Sequence, residues 1–405
     1  MQITITPGPL SGAVTPPPSK SQAHRVLIAA ALAGGVSEIS HPGTSQDIDA
    51  TLDCLAALGA GIRRHDGGIT VTGLSAPATH PVLPCGESGS TLRFLMPVAL
   101  VCSGGGEFRG RGRLMQRPQT PYFEIFRQQG VSFTQEGDTL TLSGRLSPGT
   151  YRLPGNVSSQ FVTGLLYALP LLAGDSDIVL TTALESESYV GMTLEALEAF
   201  GVTVRPTETG WHVPGNQVYT PRNMAVEGDW SQAAFYLCAA GLGNPVSVSG
   251  LRRDSRQGDR VVQAFSERLR QPGAVTLDVG DCPDLVPALA AQAALRDGDV
   301  THITGAARLR LKESDRLASV TAVLSALGAD ITEEPSGLRI RGAGSLRGGV
   351  TVDAWNDHRI AMMAAVAATR CRLPVSITGA ECVRKSYPAF WRDYEALGGI
   401  LEETV

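Results

Sequence analysis

The chain has 405 residues, of which 43% are hydrophobic and 18% charged, with a formal net charge of −5. That length exceeds one ordinary core, so two domains are expected in a globular, well-buried protein. Nothing global points to nucleic acid or to an acidic membrane, so any anion site must be a local basic cluster.

In chain order, Met1-Gln2-Ile3-Thr4-Ile5 begins like a strand and unlike a signal peptide, and Thr15-Pro16-Pro17-Pro18 breaks it. The stretch Pro18-Ser19-Lys20-Ser21-Gln22-Ala23-His24-Arg25 then leads into an apolar run over 26–32. That run is apolar on every side, the mark of a buried helix. Ser19 or Ser21 can cap it. Its free N–H groups and dipole, with Lys20 and Arg25 added, make a place to hold an anion.

An internal repeat follows. Residues 51–60 read as an amphipathic helix ending Ala57-Leu58-Gly59, and 62–72 alternate like a hairpin around Asp66-Gly67-Gly68. The same helix, glycine stop and hairpin turn recur at 123–130 with Gly137-Asp138, at 194–201 with Thr209-Gly210, and at 317–328 with Ser336-Gly337. Residues 387–398 start another copy, and a weaker one lies around 261–273. The stop glycines 59, 130 and 201 are spaced 71 and 71 apart, and 328 to 398 is 70.

Each copy also has a second, buried-type helix with a polar, cap-rich start. After Lys20-Ser21 these starts are Gly86-Glu87-Ser88-Gly89-Ser90-Thr91-Leu92-Arg93, Gly155-Asn156-Val157-Ser158-Ser159-Gln160, Glu227-Gly228-Asp229-Trp230-Ser231, Asp281-Cys282-Pro283-Asp284 and Asn356-Asp357-His358-Arg359. The expected fold is therefore α/β, with six units, each reading strand, helix, strand, helix, hairpin, and three units closing each domain around its buried helices. The fourth unit is expected to begin at Val226-Glu227-Gly228-Asp229. The seam places 15–226 in one domain and 1–14 with 227–405 in the other. Helix N-termini pointed at the gap between domains would make that gap a trap for anions.

Further basic constellations are Arg109-Gly110-Arg111-Gly112-Arg113-Leu114-Met115-Gln116-Arg117-Pro118, Arg308-Leu309-Arg310-Leu311-Lys312-Glu313-Ser314-Asp315-Arg316, His358-Arg359, and Val383-Arg384-Lys385-Ser386-Tyr387-Pro388. Arg109 and Arg111 read as solvated, whereas Arg117 against a proline is more constrained. The 308–316 run alternates as a strand and then enters a helix with Glu313 and Asp315 in its first turn, Asp315 as a dipole complement. So many cations at element starts suggest at least two bound anionic groups. Asp284 and Glu313 are the carboxylates best placed for acid–base work, although Asp284 alone would read as an N-cap after Pro283. No phosphate-binding Gly-x-x-x-x-Gly-Lys-Ser/Thr loop occurs, and no Gly-x-Gly-x-x-Gly pattern follows a strand. The His residues lack paired metal spacing, so no metal is expected, and no cofactor is expected either. The seven cysteines are odd in number and scattered, which reads as buried thiols in a reducing compartment. No apolar run reaches membrane-spanning length, and a cytoplasmic location is expected.

Pro-Ser-Lys-Ser-Gln-Ala-His-Arg, Gly-Glu-Ser-Gly-Ser-Thr-Leu-Arg, Ser-Ser-Gln-Phe, Leu-Lys-Glu-Ser-Asp-Arg-Leu and Asn-Asp-His-Arg-Ile-Ala-Met together resemble the 5-enolpyruvylshikimate-3-phosphate synthase family, over essentially the whole chain. The resemblance implies a two-domain inside-out α/β barrel of six βαβαββ units. It implies transfer of the enolpyruvyl group of phosphoenolpyruvate to the 5-hydroxyl of shikimate 3-phosphate. It further implies that Lys20, Ser21, Arg25, Ser158, Ser159, Gln160, Ser186, Asp284 and Lys312 hold shikimate 3-phosphate. Lys20, Gly89, Arg117, Gln160, Arg316, Arg359 and Lys385 are implied for phosphoenolpyruvate. Asp284 would accept the hydroxyl proton and Glu313 would protonate the enol carbon, with Lys20 or Lys385 sharing the proton traffic. Tyr189 lies near the matching stretch. Arg308 stands where some relatives carry an amide, and Glu87 where some have Asn. The expected partners are the two small-molecule substrates alone, with no nucleic acid, no membrane and a monomeric chain. The alternatives are the related UDP-N-acetylglucosamine enolpyruvyl transferase, many members of which use a cysteine in the mobile basic loop, and a non-catalytic binder of small phosphates. Residues 104–118 contain no cysteine.

Overall fold

A computed structural model describes residues 1–404. Two compact units divide the chain, a discontinuous one of Met1–Pro17 with Gly228–Val405 and a continuous one of Pro18–Glu227. The discontinuous unit opens with β1 (Gln2–Thr6) and β2 (Gly12–Val14).

The continuous unit holds three copies of one pattern. The first has α1 (Lys20–Leu32), β3 (Val36–Ser40), α2 (Gln46–Leu58), β4 (Gly61–His65) and β5 (Gly68–Thr72). The second has β6 (Val82–Gly86), α3 (Gly89–Ser103), β7 (Gly105–Gly110), α4 (Thr120–Gln128), β8 (Ser132–Glu136) and β9 (Thr139–Ser143). The third has β10 (Thr150–Leu153), α5 (Ser159–Ala168), β11 (Ser176–Leu180), α6 (Glu187–Ala199), β12 (Arg205–Thr207) and β13 (Gly210–Val213), followed by β14 (Met224–Ala225). The second and third copies each close a four-stranded sheet, β6-β7-β9-β8 and β10-β11-β13-β12. In each, a helix crossover joins the parallel first pair and a glycine-bearing hairpin adds the antiparallel strands. The first copy borrows its parallel strand, since β14 pairs with β3 in the order β14-β3-β5-β4.

The discontinuous unit continues with α7 (Trp230–Gly241), β15 (Val246–Val248) and α8 (Val262–Arg270). Then come β16 (Val275–Asp278), α9 (Val286–Leu295), β17 (Val300–Thr304), α10 (Arg316–Leu327), β18 (Asp330–Glu334) and β19 (Gly337–Arg341). The last copy has β20 (Val350–Asp353), α11 (His358–Ala368), β21 (Val375–Thr378), α12 (Phe390–Ala396) and β22 (Ile400–Thr404). Its sheet is β20-β21-β1-β22, with the N-terminal strand between β21 and β22.

The fourth copy departs from the expected unit. Its sheet has only two strands, and its opening strand is β2, which pairs parallel with β15. The boundary between Glu227 and Gly228 lies within the Val226–Asp229 stretch, and Met224 and Ala225 just before it pair with Ile39 and Ser40. No hairpin follows α8, since only residues 271–274 separate it from β16.

In each unit the apolar helices form the middle. Every residue of α9 and of α11 is buried, as are Gln22 to Ala31 of α1. In the discontinuous unit α7, α9 and α11 pack on one another, and in the continuous unit α3 packs on α5. The sheets lie outside, so hairpin strands such as β9 alternate buried and more exposed residues. The stop glycines 59, 130, 201, 328 and 398 all have positive φ, the left-handed cap conformation that ends a helix without Cβ strain. Among the described residues, no helix is long and apolar enough to cross a membrane.

Candidate active site: a charged cluster in each unit

The continuous unit assembles its polar groups at the starts of α1, α3 and α5. Ser19, Ser88 and Ser158 are the N-caps, each accepting a backbone N–H of the following turn. Capping with neutral hydroxyls leaves the positive helix ends uncancelled, and none of the three first turns carries an acid. Lys20 Nζ pairs with Asp47 Oδ2 at 2.8 Å. Arg25 is buried and clamped, donating to Thr193 Oγ1 at 2.9 Å, the Ser21 carbonyl at 2.7 Å and the Tyr189 carbonyl at 2.9 Å. Its guanidinium also lies over the Phe94 ring, 5.2 Å from the centroid.

Arg93 is the tie between elements. It donates to Gln160 Oε1 at 2.8 Å, the Pro118 carbonyl at 3.1 Å and Gln119 Oε1 at 3.2 Å, with its guanidinium 4.7 Å from the Phe161 centroid. Gln160 Nε2 in turn donates to Ser90 Oγ at 3.0 Å. Arg93 thus fixes the 117–119 segment against the starts of α3 and α5. That segment carries Arg117, whose guanidinium covers Gly89. A Cβ built on Gly89 would stand 2.6 Å from Arg117 Nη1 and 2.9 Å from its Cζ. Arg117 is 8% exposed, and its Nε has no hydrogen-bond partner among the described residues. A buried guanidinium with a donor unspent fits an anion. Ser159 is buried in the first turn of α5, and Ser186 holds the left-handed conformation (φ 56°) at the entry to α6. Arg109 pairs with Glu107 on the surface at 2.6 Å and Arg111 is exposed, the solvated behaviour expected of both.

The discontinuous unit builds a charge hub at the starts of α9, α10 and α11. Arg316, 1% exposed, contacts three carboxylates: Asp357 at 2.7 Å, Glu313 at 2.7 Å and Asp284 at 2.8 Å. Asp284 also meets Arg359 at 3.1 Å and Lys312 at 3.3 Å. Burial alone would raise the Asp284 pKa, but Arg359, then Lys312 and Arg316, outweigh it and hold the carboxyl well below the usual range. Asp284 is therefore a central acceptor in a 3-10 turn, Pro283–Leu285, and not the N-cap that its place after Pro283 suggests. Lys385 is buried and donates to the Asn356 carbonyl at 2.7 Å.

The 308–316 run also differs from expectation. Ala307–Leu311 is a 3-10 helix, because its two leucines do not share a face: Leu309 is buried and Leu311 is 44% exposed. Asp315 is the N-cap of α10, accepting from the Ala318 N–H, and it pairs with Arg310 at 3.2 Å. Glu313 therefore precedes the helix. Arg308 donates to the Gly280 carbonyl at 2.5 Å.

Asp259 lies in the same neighbourhood. Burial first, then the Asp284 and Asp229 carboxylates, raise its pKa to about 7, against the lowering effects of Arg359 and the Ser231 hydroxyl. A carboxyl whose pKa is raised on folding adds stability in full below its unfolded value. It loses that stability as pH rises through about 7. Asp259→Asn is expected to melt with the parent near pH ~4 and above it near pH ~8. Parallel melting-temperature curves over that range would contradict the assignment.

The chain matches the family described as EPSP synthase (3-phosphoshikimate 1-carboxyvinyltransferase) over residues 5–394. The chain belongs to the EPSP synthase family. A relative from Clostridium kluyveri named 3-phosphoshikimate 1-carboxyvinyltransferase is 44% identical over 420 residues, covering 99% of this chain and 98% of its own. One from Clostridium beijerinckii with the same name is 42% identical, covering 99% and 98%. An EPSP synthase structure from Acinetobacter baumannii aligns with TM-score 0.82 at 25% identity, over 99% of this chain and 100% of that one. The enolpyruvyl transferase NikO from Streptomyces tendae shares the fold, with TM-score 0.78 at 17% identity, over 99% and 98%.

Within this EPSP synthase fold, the continuous unit gathers Lys20, Ser21, Arg25, Gly89, Arg117, Ser158, Ser159 and Gln160 around three helix starts, and Ser186 stands at the start of α6. The discontinuous unit gathers Asp284, Lys312, Glu313, Arg316, Arg359 and Lys385. Asp47, Arg93 and Asp357 join these networks without having been singled out from the sequence. Arg93 and Asp357 stood inside quoted motifs, but their partners are remote, Gln160 at 67 positions and Arg316 at 41.

Proposed function

We propose that the chain transfers the enolpyruvyl group of phosphoenolpyruvate to the 5-hydroxyl of shikimate 3-phosphate. Phosphate leaves by addition and elimination through a tetrahedral adduct. The observation that carries this reading is the pair of charged clusters, one in each unit of a member of the EPSP synthase family, each with cations spent on carboxylates or carbonyls that an anionic ligand can replace. Lys20, Ser21, Arg25, Ser158, Ser159, Gln160, Ser186, Asp284 and Lys312 bind shikimate 3-phosphate. Lys20, Gly89, Arg117, Gln160, Arg316, Arg359 and Lys385 bind phosphoenolpyruvate. The substrates arrive with several negative charges, and the cations offset their mutual repulsion in a water-poor site.

Asp284 accepts the proton of the attacking hydroxyl. With Arg359, Lys312 and Arg316 all on its carboxylate it is a weak base. Phosphoenolpyruvate recruits Arg359 and Arg316, and shikimate 3-phosphate recruits Lys312, so the two ligands together restore its basicity. The same exchange takes Arg316 off Glu313, the condition for Glu313 to carry the proton that it delivers to the enol carbon. Protonation makes the neighbouring carbon electrophilic and the hydroxyl adds there; phosphate then departs from the adduct as the Glu313 carboxylate takes a proton from the new methyl group, which restores the carbon–carbon double bond. Lys20 and Lys385 stabilise the departing charge and share proton transfer. The chain works as a monomer in the cytoplasm; the seven free cysteines support the reducing compartment.

Phosphate release from phosphoenolpyruvate tests the function directly. Release with shikimate 3-phosphate and none with UDP-N-acetylglucosamine is expected. Release only with the sugar nucleotide, or with neither, would overturn the reading.

Gly89→Ala tests the phosphoenolpyruvate contacts. The new Cβ would displace Arg117 by its 2.6 Å approach to Nη1. An intrusion of this kind into a packed site costs roughly 1–3 kcal/mol, or about one to two powers of ten in affinity. The Michaelis constant for phosphoenolpyruvate is expected to rise, with that for shikimate 3-phosphate little changed. Equal losses with a lowered melting temperature would mean that Gly89 serves only the backbone.

A further inference from the structure

One buried polar chain in the continuous unit has no part in the reaction as described above. His24 is fully buried in α1, one residue before Arg25. Its Nδ1 lies 2.7 Å from Thr51 Oγ1 in α2, and Thr51 Oγ1 lies 2.6 Å from Thr91 Oγ1 in α3. The Thr91 hydroxyl donates to Ser88 Oγ at 2.7 Å, and the Thr91 N–H donates to the same oxygen at 3.2 Å. All four side chains are at most 1% exposed. The chain thus runs from an imidazole in α1 through α2 to the cap of α3, the residue before Gly89.

Its direction follows from hydrogen counting. His24 Nε2 is buried with no hydrogen-bond partner among the described residues. If Nε2 carried the proton, a buried donor would be orphaned, which folded proteins avoid more strictly than a spare lone pair. The proton therefore belongs on Nδ1, which donates to Thr51. Thr51 then donates to Thr91 at 2.6 Å in preference to the Asp47 carbonyl at 3.3 Å. Thr91 donates to Ser88. Ser88 Oγ becomes a double acceptor, and its own hydrogen points out of the chain at the turn that holds Gly89. A charged imidazole would break this order, and burial, with Lys20 and Arg25 nearby, keeps His24 neutral.

We propose that His24 is a positioning residue for the phosphoenolpyruvate end of the site, acting through Thr51 and Thr91 to fix the Ser88–Gly89 turn beneath Arg117. The sequence neighbours of His24 are Arg25 and Ser21, both assigned to shikimate 3-phosphate, and further back Lys20, assigned to both substrates. The hydroxyl chain instead leads to the other substrate. This inference rests on the reading that Gly89 and Arg117 meet phosphoenolpyruvate.

The test uses Thr51→Val, Thr51→Ser and Gly89→Ala in the full chain, with both Michaelis constants measured for each. Valine keeps the shape of threonine and cuts the hydroxyl chain, while serine retains the hydroxyl. Thr51→Val is expected to raise the constant for phosphoenolpyruvate about tenfold, the scale of one lost buried hydrogen bond. The constant for shikimate 3-phosphate stays within about twofold, and Thr51→Ser restores the parent values. If only Gly89→Ala raises the phosphoenolpyruvate constant, the inference fails and the site reading stands. If neither variant does, the site reading fails and takes the inference with it. Equal losses for both substrates in Thr51→Val would reduce the chain to general packing and overturn the proposal. A second measurement needs no variant: histidine nitrogen NMR of the parent is expected to show His24 protonated on Nδ1 alone. A proton on Nε2 would overturn the proposed direction.

Discussion

Glu313→Gln is expected to lower turnover by about 10²–10⁴, the usual loss when a positioned acid is removed. The amide keeps the size of the carboxyl, and its oxygen can still accept from Arg316 Nη2, now 2.7 Å from Glu313 Oε2. Binding of shikimate 3-phosphate and the melting temperature should therefore stay close to the parent. What the amide cannot do is deliver a proton to the enol carbon. Single-turnover phosphate release, with ligand binding measured separately by calorimetry, distinguishes the two effects. Near-normal turnover would leave Glu313 as a partner of Arg316 and nothing more.

Arg316→Met is expected to damage stability as well as activity. Removing the guanidinium leaves Asp357, fully buried, without its partner at 2.7 Å and strips a cation from both Asp284 and Glu313. Breaking a buried ion pair by deleting one member costs about 3–5 kcal/mol. For a unit of this size that is roughly a 10 °C fall in melting temperature. Adding Asp357→Asn should recover part of the loss, because it removes the buried charge that the single variant leaves uncompensated. Recovery of melting temperature without recovery of turnover is the expected pattern. A single variant that melts with the parent would show that the hub carries no structural load.

The repeat was readable because its signals are local. Gly59, Gly130 and Gly201 end helices by adopting positive φ, a property of one residue that spacing exposes. The cap residues Ser19, Ser88, Ser158, Asp229 and Asp357 announced the buried helices for the same reason. The fourth copy was less legible because its strand comes from the other end of the chain, β2 pairing with β15 across more than two hundred residues. The cations and carboxylates of the site could be named from motifs, but their pairing could not. Arg93 looks like a helix residue until its three acceptors around 118, 119 and 160 are known. The 308–311 alternation misled because period two describes a strand only when a neighbouring strand is available to pair with it. Asp284 looked like a cap because Pro283 supplies a helix start. The three cations that claim its carboxylate come from residues 312, 316 and 359.

The placement of β1 has a consequence for biosynthesis. It is made well before both of its hydrogen-bonding neighbours, β21 and β22, which lie more than 360 residues further along. At about 5–20 residues per second, β1 waits on the order of 20–80 s for partners, with Ile3 and Ile5 unburied. The segment from Pro18 to Glu227 is contiguous and contains every strand of its own three sheets, including β14, which completes the first. It can finish folding while the rest is still on the ribosome. The discontinuous unit closes only after β21 and β22 have been made, and until then β1 presents both its edges to other chains and to chaperones. A circular permutant that starts at Gly228 and joins the old ends would make β20, β21, β22 and β1 in immediate succession and abolish that wait.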